Sequence, residues 1–138
     1  MVARLLRDRC GAAAAEMAMV APLLMLLMLG AMEIGHYFYS EHVVVKAVRD
    51  GARYAARQSF ANYTCPSTAI GGTVVADTQN VTRTNQVASG GTPRLADWVQ
   101  NSSATVTMRC DTSGSYGSFY SGLAGVPVVQ VSAVVPYT

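Results

Sequence analysis

Few side chains in this 138-residue chain are suited to chemistry, and their spacing narrows the options further. Its two histidines are His36 and His42. Glu33 and His36 stand at i, i+3, a spacing that ligates metals when two such pairs face one another in a bundle. The sequence holds no second pair, so a polar pair reaching toward an interface is the simpler reading. No histidine follows residue 42, which excludes a Ser-His-Asp site in the later part of the chain. Nothing resembles a nucleophile elbow, a P-loop or a zinc ligand set. The expectation is a non-enzyme that needs no cofactor and no metal.

The remaining chemically pointed residue is Glu16. It interrupts an otherwise apolar run, RCGAAAAEMAMVAPLLMLLMLGAMEIG, from Arg9 to Gly35. A carboxylate near the centre of a membrane helix costs roughly 2.5–3.5 kcal/mol on insertion scales, so its presence asks for a reason. From Ala12 to Gly35 the run would extend about 36 Å as helix, enough to cross a hydrocarbon core about 30 Å thick. A buried core helix of that length would carry a polar stripe, and Met17 to Met32 has none. The reading is a transmembrane helix over residues 12–35. Arg4, Arg7 and Arg9, offset by Asp8 alone, precede it and predict a cytoplasmic N-terminus. Tyr37, Phe38 and Tyr39 fall where an interfacial aromatic belt belongs.

Composition agrees with a membrane anchor followed by a polar domain. Hydrophobic residues make up 51% of the chain and charged ones 13%. The apolar excess lies before residue 60, and the rest is rich in Ser, Thr, Gly and Asn. A net charge of +2, with no basic stripe interleaved with aromatics, gives no case for nucleic acid.

Beyond the span, residues 36–58 continue as an amphipathic helix. Val44, Ala47, Val48, Ala52 and Ala55 share one side, while Arg49, Arg53 and Arg57 form a separate i+4 row. Gly51 costs about 1 kcal/mol against Ala in a helix interior and signals close packing. Pro22 predicts a kink, not a break. Residues 59–138 read as a small domain. A turn-rich stretch leads to a helix candidate, VVADTQNVTRTNQVA, and Pro93 suits the start of a short helix, RLADWVQ. ATVTMR and VPVVQVSAVVPY alternate as strands do. The expected fold is α+β, a long N-terminal helix packed against a small antiparallel sheet.

Cys10 would lie on the cytoplasmic side, and Cys65 and Cys110 outside it. Two cysteines in an oxidising compartment, flanking a weakly hydrophobic segment, favour a disulfide. The Asn-x-Ser/Thr triplets at Asn62, Asn80 and Asn101 are explained as well by chance as by glycosylation.

A short basic leader, then Gly11, then an apolar helix with a glutamate five residues on, resembles a type IV prepilin signal. Gly11, Glu16, Pro22, Arg49, Gly51, Ala52 and Arg53 together resemble the TadE-like family, minor pilins or pseudopilins of tight-adherence (Flp) pili. The resemblance covers about residues 9–57. Met17 departs from it, since major pilins of that group usually carry Tyr there. It implies cleavage by a prepilin peptidase between Gly11 and Ala12, so that residues 1–11 form a leader. It also implies that Glu16 pairs with the N-terminal amine of a neighbouring pilin, which reduces the cost of burying both charges. The implied partners are the membrane, the peptidase, other pilins and the assembly platform. The implied location is the bacterial inner membrane, single-pass, with a periplasmic C-terminal domain. A short segment beyond Tyr137 and Thr138 would also be expected.

Two rival readings are a bitopic periplasmic binding module with an uncleaved anchor, and a secreted domain behind a conventional signal peptide. The second fits less well, because the run exceeds a 7–15-residue h-region and ends in no clean A-x-A site.

Overall fold

A computed structural model describes residues 10–116, 119–120 and 122–137. Helix α1 runs without interruption over Cys10–Ala56, with Pro22 inside it. It is followed by a one-turn 3₁₀ helix (Phe60–Asn62), strands β1 (Tyr63–Thr64) and β2 (Ala69–Ile70), and helix α2 (Val74–Thr84). A second 3₁₀ turn (Asn101–Ser103) leads into β3 (Ala104–Asp111) and β4 (Val126–Ala133). This is an α+β fold, as the sequence pattern predicts. Contacts divide the chain into two units, residues 1–39 and 40–138.

The first unit, in its described part, is bare helix. Met19, Leu26, Met28 and Met32 are each more than two-thirds exposed. Gly30 and Gly35 have no neighbour within 4 Å of where a β-carbon would stand. An apolar helix with nothing packed on it is what lipid, not water, would solvate. Among the described residues it is the one helix long and apolar enough to cross a membrane, with a mean hydropathy of 2.1 in its most apolar window.

The second unit builds its core on the C-terminal third of α1. Ala47, Gly51 and Ala55, four residues apart, are all buried. Ala47 packs with Trp98 and Ala104, and Val44, Leu95, Ala133 and Val135 surround them. One turn on, α2 passes so close that a β-carbon on Gly51 would overlap the Thr82 hydroxyl and lie 3.3 Å from Thr82 Cβ. Thr82 and Thr78, both fully buried, line that crossing. The Thr82 hydroxyl donates to the Thr78 carbonyl at 2.7 Å, so it is satisfied without leaving its own helix.

Helix ends are held by local chemistry. The Tyr63 hydroxyl donates to the Ala55 carbonyl, and Gln58 Nε2 donates to the Tyr54 carbonyl at 3.3 Å. Both reinforce carbonyls at the end of α1 that also accept the Arg57 and Gln58 N–H groups in its closing turn. Asn85, in the left-handed region at φ 62°, closes α2 by donating its N–H to the Val81 carbonyl.

Two details differ from the sequence expectation. The sheet is two separate antiparallel hairpins, β1–β2 and β3–β4. The helix expected over RLADWVQ is absent, and the stretch is a series of turns. Its backbone is used elsewhere: the Arg94 N–H donates to the Arg83 carbonyl, and the Trp98 N–H to Leu95. Turning there lets Trp98 bury its whole side chain beside Ala47, a gain of about 1.5–3 kcal/mol or more for a large apolar group. Pro127 pairs with Cys110 in β4, and alternation from the Val134–Ser103 bond puts its missing N–H on the outer edge.

Gly51→Val should destabilise the domain by about 1–3 kcal/mol through overpacking against Thr82, and Thr82→Ala should recover part of that loss. Urea unfolding of the full chain in detergent, followed by Trp98 fluorescence, measures both. A second expectation concerns pH. Burial, and then the nearby Tyr54, hold the Tyr63 phenol above its ordinary value of 10.0. A raised folded-state value means a contribution fully present below the unfolded value and lost as pH rises through the folded one. Stability should therefore fall above about pH 10, and Tyr63→Phe should flatten that fall while lowering stability at neutral pH.

Candidate assembly site

The expected processing and assembly residues all lie on α1. Gly11 is exposed, and a β-carbon there would meet nothing within 4 Å. Glu16 is exposed one to two turns later. Gly11 and Ala12 both lie within the described helix. The leader arginines Arg4, Arg7 and Arg9 lie outside the described residues. Ala13 and Ala15, adjoining Glu16, leave room for another helix to approach closely.

Arg49, Gly51, Ala52 and Arg53 resolve into two faces. Gly51 is buried against α2, and Ala52 is half-buried. Arg49 and Arg53 point outward, the Arg53 side chain being 74% exposed. Like charges at i, i+4 cost a helix a few tenths of a kcal/mol, roughly 0.2–0.5 per pair. Asp50 offsets little of this, since it meets Arg53 only at 3.9 Å. Its stronger partner is Arg94, at 2.9 Å across 44 residues. Arg94 also donates to Asn85 Oδ1 at 2.8 Å, which ties the end of α2 to α1.

Cys65 and Cys110 form a disulfide, with their α-carbons 5.9 Å apart. It joins the loop after β1 to the end of β3. Asp111, next to it, is held below the usual carboxylate range by the Ser113 hydroxyl and backbone N–H, with Arg109 adding a smaller effect. Near the end of α1, burial and then the Asp77 carboxylate hold the Tyr54 phenol above its ordinary value.

The polar residues that organise the domain were not legible as a set. Arg83 Nε donates to Asn101 Oδ1 at 2.6 Å, and its Nη1 to the Val99 carbonyl at 3.0 Å. Asn101 Nδ2 donates to Asn80 Oδ1 at 2.6 Å, and Asn80 Nδ2 to the Val87 carbonyl at 2.9 Å. Two of the three triplet asparagines therefore have their amides engaged inside the fold. Partners 18–21 residues apart leave no periodic signal; the nearest hint is the triplets themselves. Among the described residues, no three His, Cys, Asp or Glu side chains are grouped to hold a metal.

A family model described as TadE-like protein matches residues 11–53. That segment is similar to the TadE-like family. The matched stretch holds Gly11, Glu16, the apolar span and the Arg49–Arg53 motif, and ends inside α1. It is about a third of the chain, so the domain from residue 54 onward lies beyond it. No curated protein and no solved structure gives a significant match to the chain.

Closing a loop of 45 residues should stabilise the domain by about 4 kcal/mol on the chain-entropy model. Cys65→Ser with Cys110→Ser should lower stability by up to that amount. In the parent chain, thiol labelling before reduction should modify neither Cys65 nor Cys110, and after reduction both.

Proposed function

We propose that this chain is a membrane-anchored pilin-like subunit or assembly factor of a bacterial tight-adherence pilus. The observation that carries the reading is the order of features within one TadE-like segment: Gly11, Glu16, an unpacked apolar span and the Arg49–Arg53 motif. In this reading residues 1–11 are a leader, residues 12–35 cross the inner membrane N-in, and residues 36–138 lie in the periplasm. A prepilin peptidase cuts after Gly11. The new Ala12 amine and the Glu16 carboxylate of adjacent subunits then pair, which fixes the register between helices. Ala13, Ala15 and Ala18 let those helices come close. The protein performs no catalysis and uses no cofactor; it docks with other pilins and the assembly platform.

Co-expressed with its cognate peptidase, the chain should acquire Ala12 as its N-terminus, read by N-terminal sequencing and intact mass. Loss of 11 residues separates this reading from an uncleaved anchor, which loses none, and from a secreted domain, which loses about 32. Gly11→Phe should block the cut but not insertion, because space at Gly11 is open and the fold accepts a side chain there. Glu16→Ala should insert at least as well as the parent, since a penalty of about 2.5–3.5 kcal/mol is removed, yet lose co-purification with partner pilins. Full processing absent in peptidase-positive cells would overturn the leader; unchanged co-purification and piliation would overturn the role of Glu16.

A further inference from the structure

The Arg49–Arg53 motif is only half explained by the fold. Gly51 is required by the α2 crossing, and Asp50 by its ion pair with Arg94. Among the described residues the arginine side chains have only the 3.9 Å contact of Arg53 with Asp50 as an ion pair. Each stands two residues after a buried small residue: Arg49 after Ala47, Arg53 after Gly51, Arg57 after Ala55. Two residues turn a helix about 200°, so the arginine row lies on the side of α1 facing away from the packed domain. Lys46, one turn before Arg49, is also exposed. Arg57 follows in the turn that closes α1, its N–H donating to the Tyr54 carbonyl at 3.1 Å.

Three of this unit's five acids are engaged by groups outside the arginine row. Asp50 is held by Arg94, Asp77 by the Thr73 and Tyr54 hydroxyls, and Asp111 by Ser113. Arg83 and Arg94, by contrast, spend their guanidinium groups inside the fold. Four of the unit's seven cations thus stand in one exposed row, at helical spacing, with only the 3.9 Å Arg53–Asp50 contact as an ion pair among the described residues.

We infer that Lys46, Arg49, Arg53 and Arg57 form a docking stripe for the acidic face of a neighbouring protein helix, one with carboxylates at four-residue intervals. Guanidinium groups spaced by one helical turn match carboxylates spaced by one helical turn, and each fork can engage a carboxylate through two hydrogen bonds. A phospholipid surface fits less well, because separate headgroups draw nothing from the one-turn spacing of the cations, whereas a helix with carboxylates at the same interval matches it. The inference deepens the assembly reading by naming the chemistry of a partner, and it rests on that reading for its place in the cell.

The test uses the purified full chain in phosphatidylcholine nanodiscs. The probe is a labelled Ala/Gln-based helical peptide with Glu at i, i+4 and i+8, compared with an isomer whose glutamates are scattered round the helix. By fluorescence anisotropy the striped peptide should bind roughly tenfold more tightly than the scattered one, and less tightly as salt rises. Arg49→Glu with Arg53→Glu should abolish that preference, and a Lys-striped peptide should restore binding to the variant. Both arginines are exposed, so an unchanged melting curve should accompany the loss. Equal binding of the two peptides, or an indifferent variant, overturns the stripe as a protein site. So does retention of phosphatidylglycerol by the parent but not the variant, together with no binding of the striped peptide; that result assigns the row to lipid. Because purified chain is used without peptidase or pilus, a negative result leaves the processing reading standing, and a failure of processing leaves this one standing.

Discussion

The Thr82 side chain of α2 lies against Gly51 so closely that it leaves no room for a β-carbon. That approach brings Thr78 and Thr82 into full burial, and it sets where the rest of the domain can lie. With α2 seated on the helix, Arg94 reaches Asp50 on one side and Asn85 on the other. Gln79 reaches the Ala104 carbonyl at 2.8 Å, which ties the start of β3 to the same helix. A side chain at position 51 would push α2 outward and loosen each of these contacts together.

The domain compensates for a thin apolar core with polar and covalent ties. Its buried hydrophobic residues are mostly Ala and Val, with Trp98 and Met108 the large exceptions. Small residues bury little area, so each adds little hydrophobic free energy. The Arg83–Asn101–Asn80 network satisfies groups that the short loops would otherwise bury unpaired. The disulfide between Cys65 and Cys110 reduces the freedom of the unfolded chain where packing is weakest. Trp98 Nε1 and Thr78 Oγ1 are buried with no hydrogen-bond partner among the described residues, a cost of order 1–3 kcal/mol each that this core carries.

One helix presents two kinds of surface. Residues 13–39 present apolar side chains in nearly every direction, while the stretch beyond Ser40 has a small-residue face, a flank of half-buried residues and an arginine row. The TadE-like match covers both stretches and includes Ala47, Asp50 and Gly51, the first residues of α1 to pack against the domain. The apolar stretch, Gly11, Glu16 and the Arg49–Arg53 motif thus all lie on one element, and the domain leaves the arginine side of that element exposed.

The sequence by itself determined what depends on local pattern. The apolar run, the prepilin-like order of Gly11 and Glu16, the helix over VVADTQNVTRT, the two late strands and the i+4 arginine row are all periodic or contiguous signals. The sequence favoured a Cys65–Cys110 bridge, since both cysteines fall on one side of the apolar run and flank a weakly hydrophobic segment, and the structure forms it. Tertiary structure decided what depends on long-range contact. RLADWVQ satisfies a helix's local rules, but burying Trp98 against Ala47 and lending the Arg94 N–H to Arg83 outweighed them. The β1–β2 hairpin is too short to show alternation, and the Asp50–Arg94 and Asn80–Asn101 pairs join residues too distant for any spacing to reveal. Gly51 combines the two: its position marked close packing, and only the path of α2 showed that Thr82 is what it must admit.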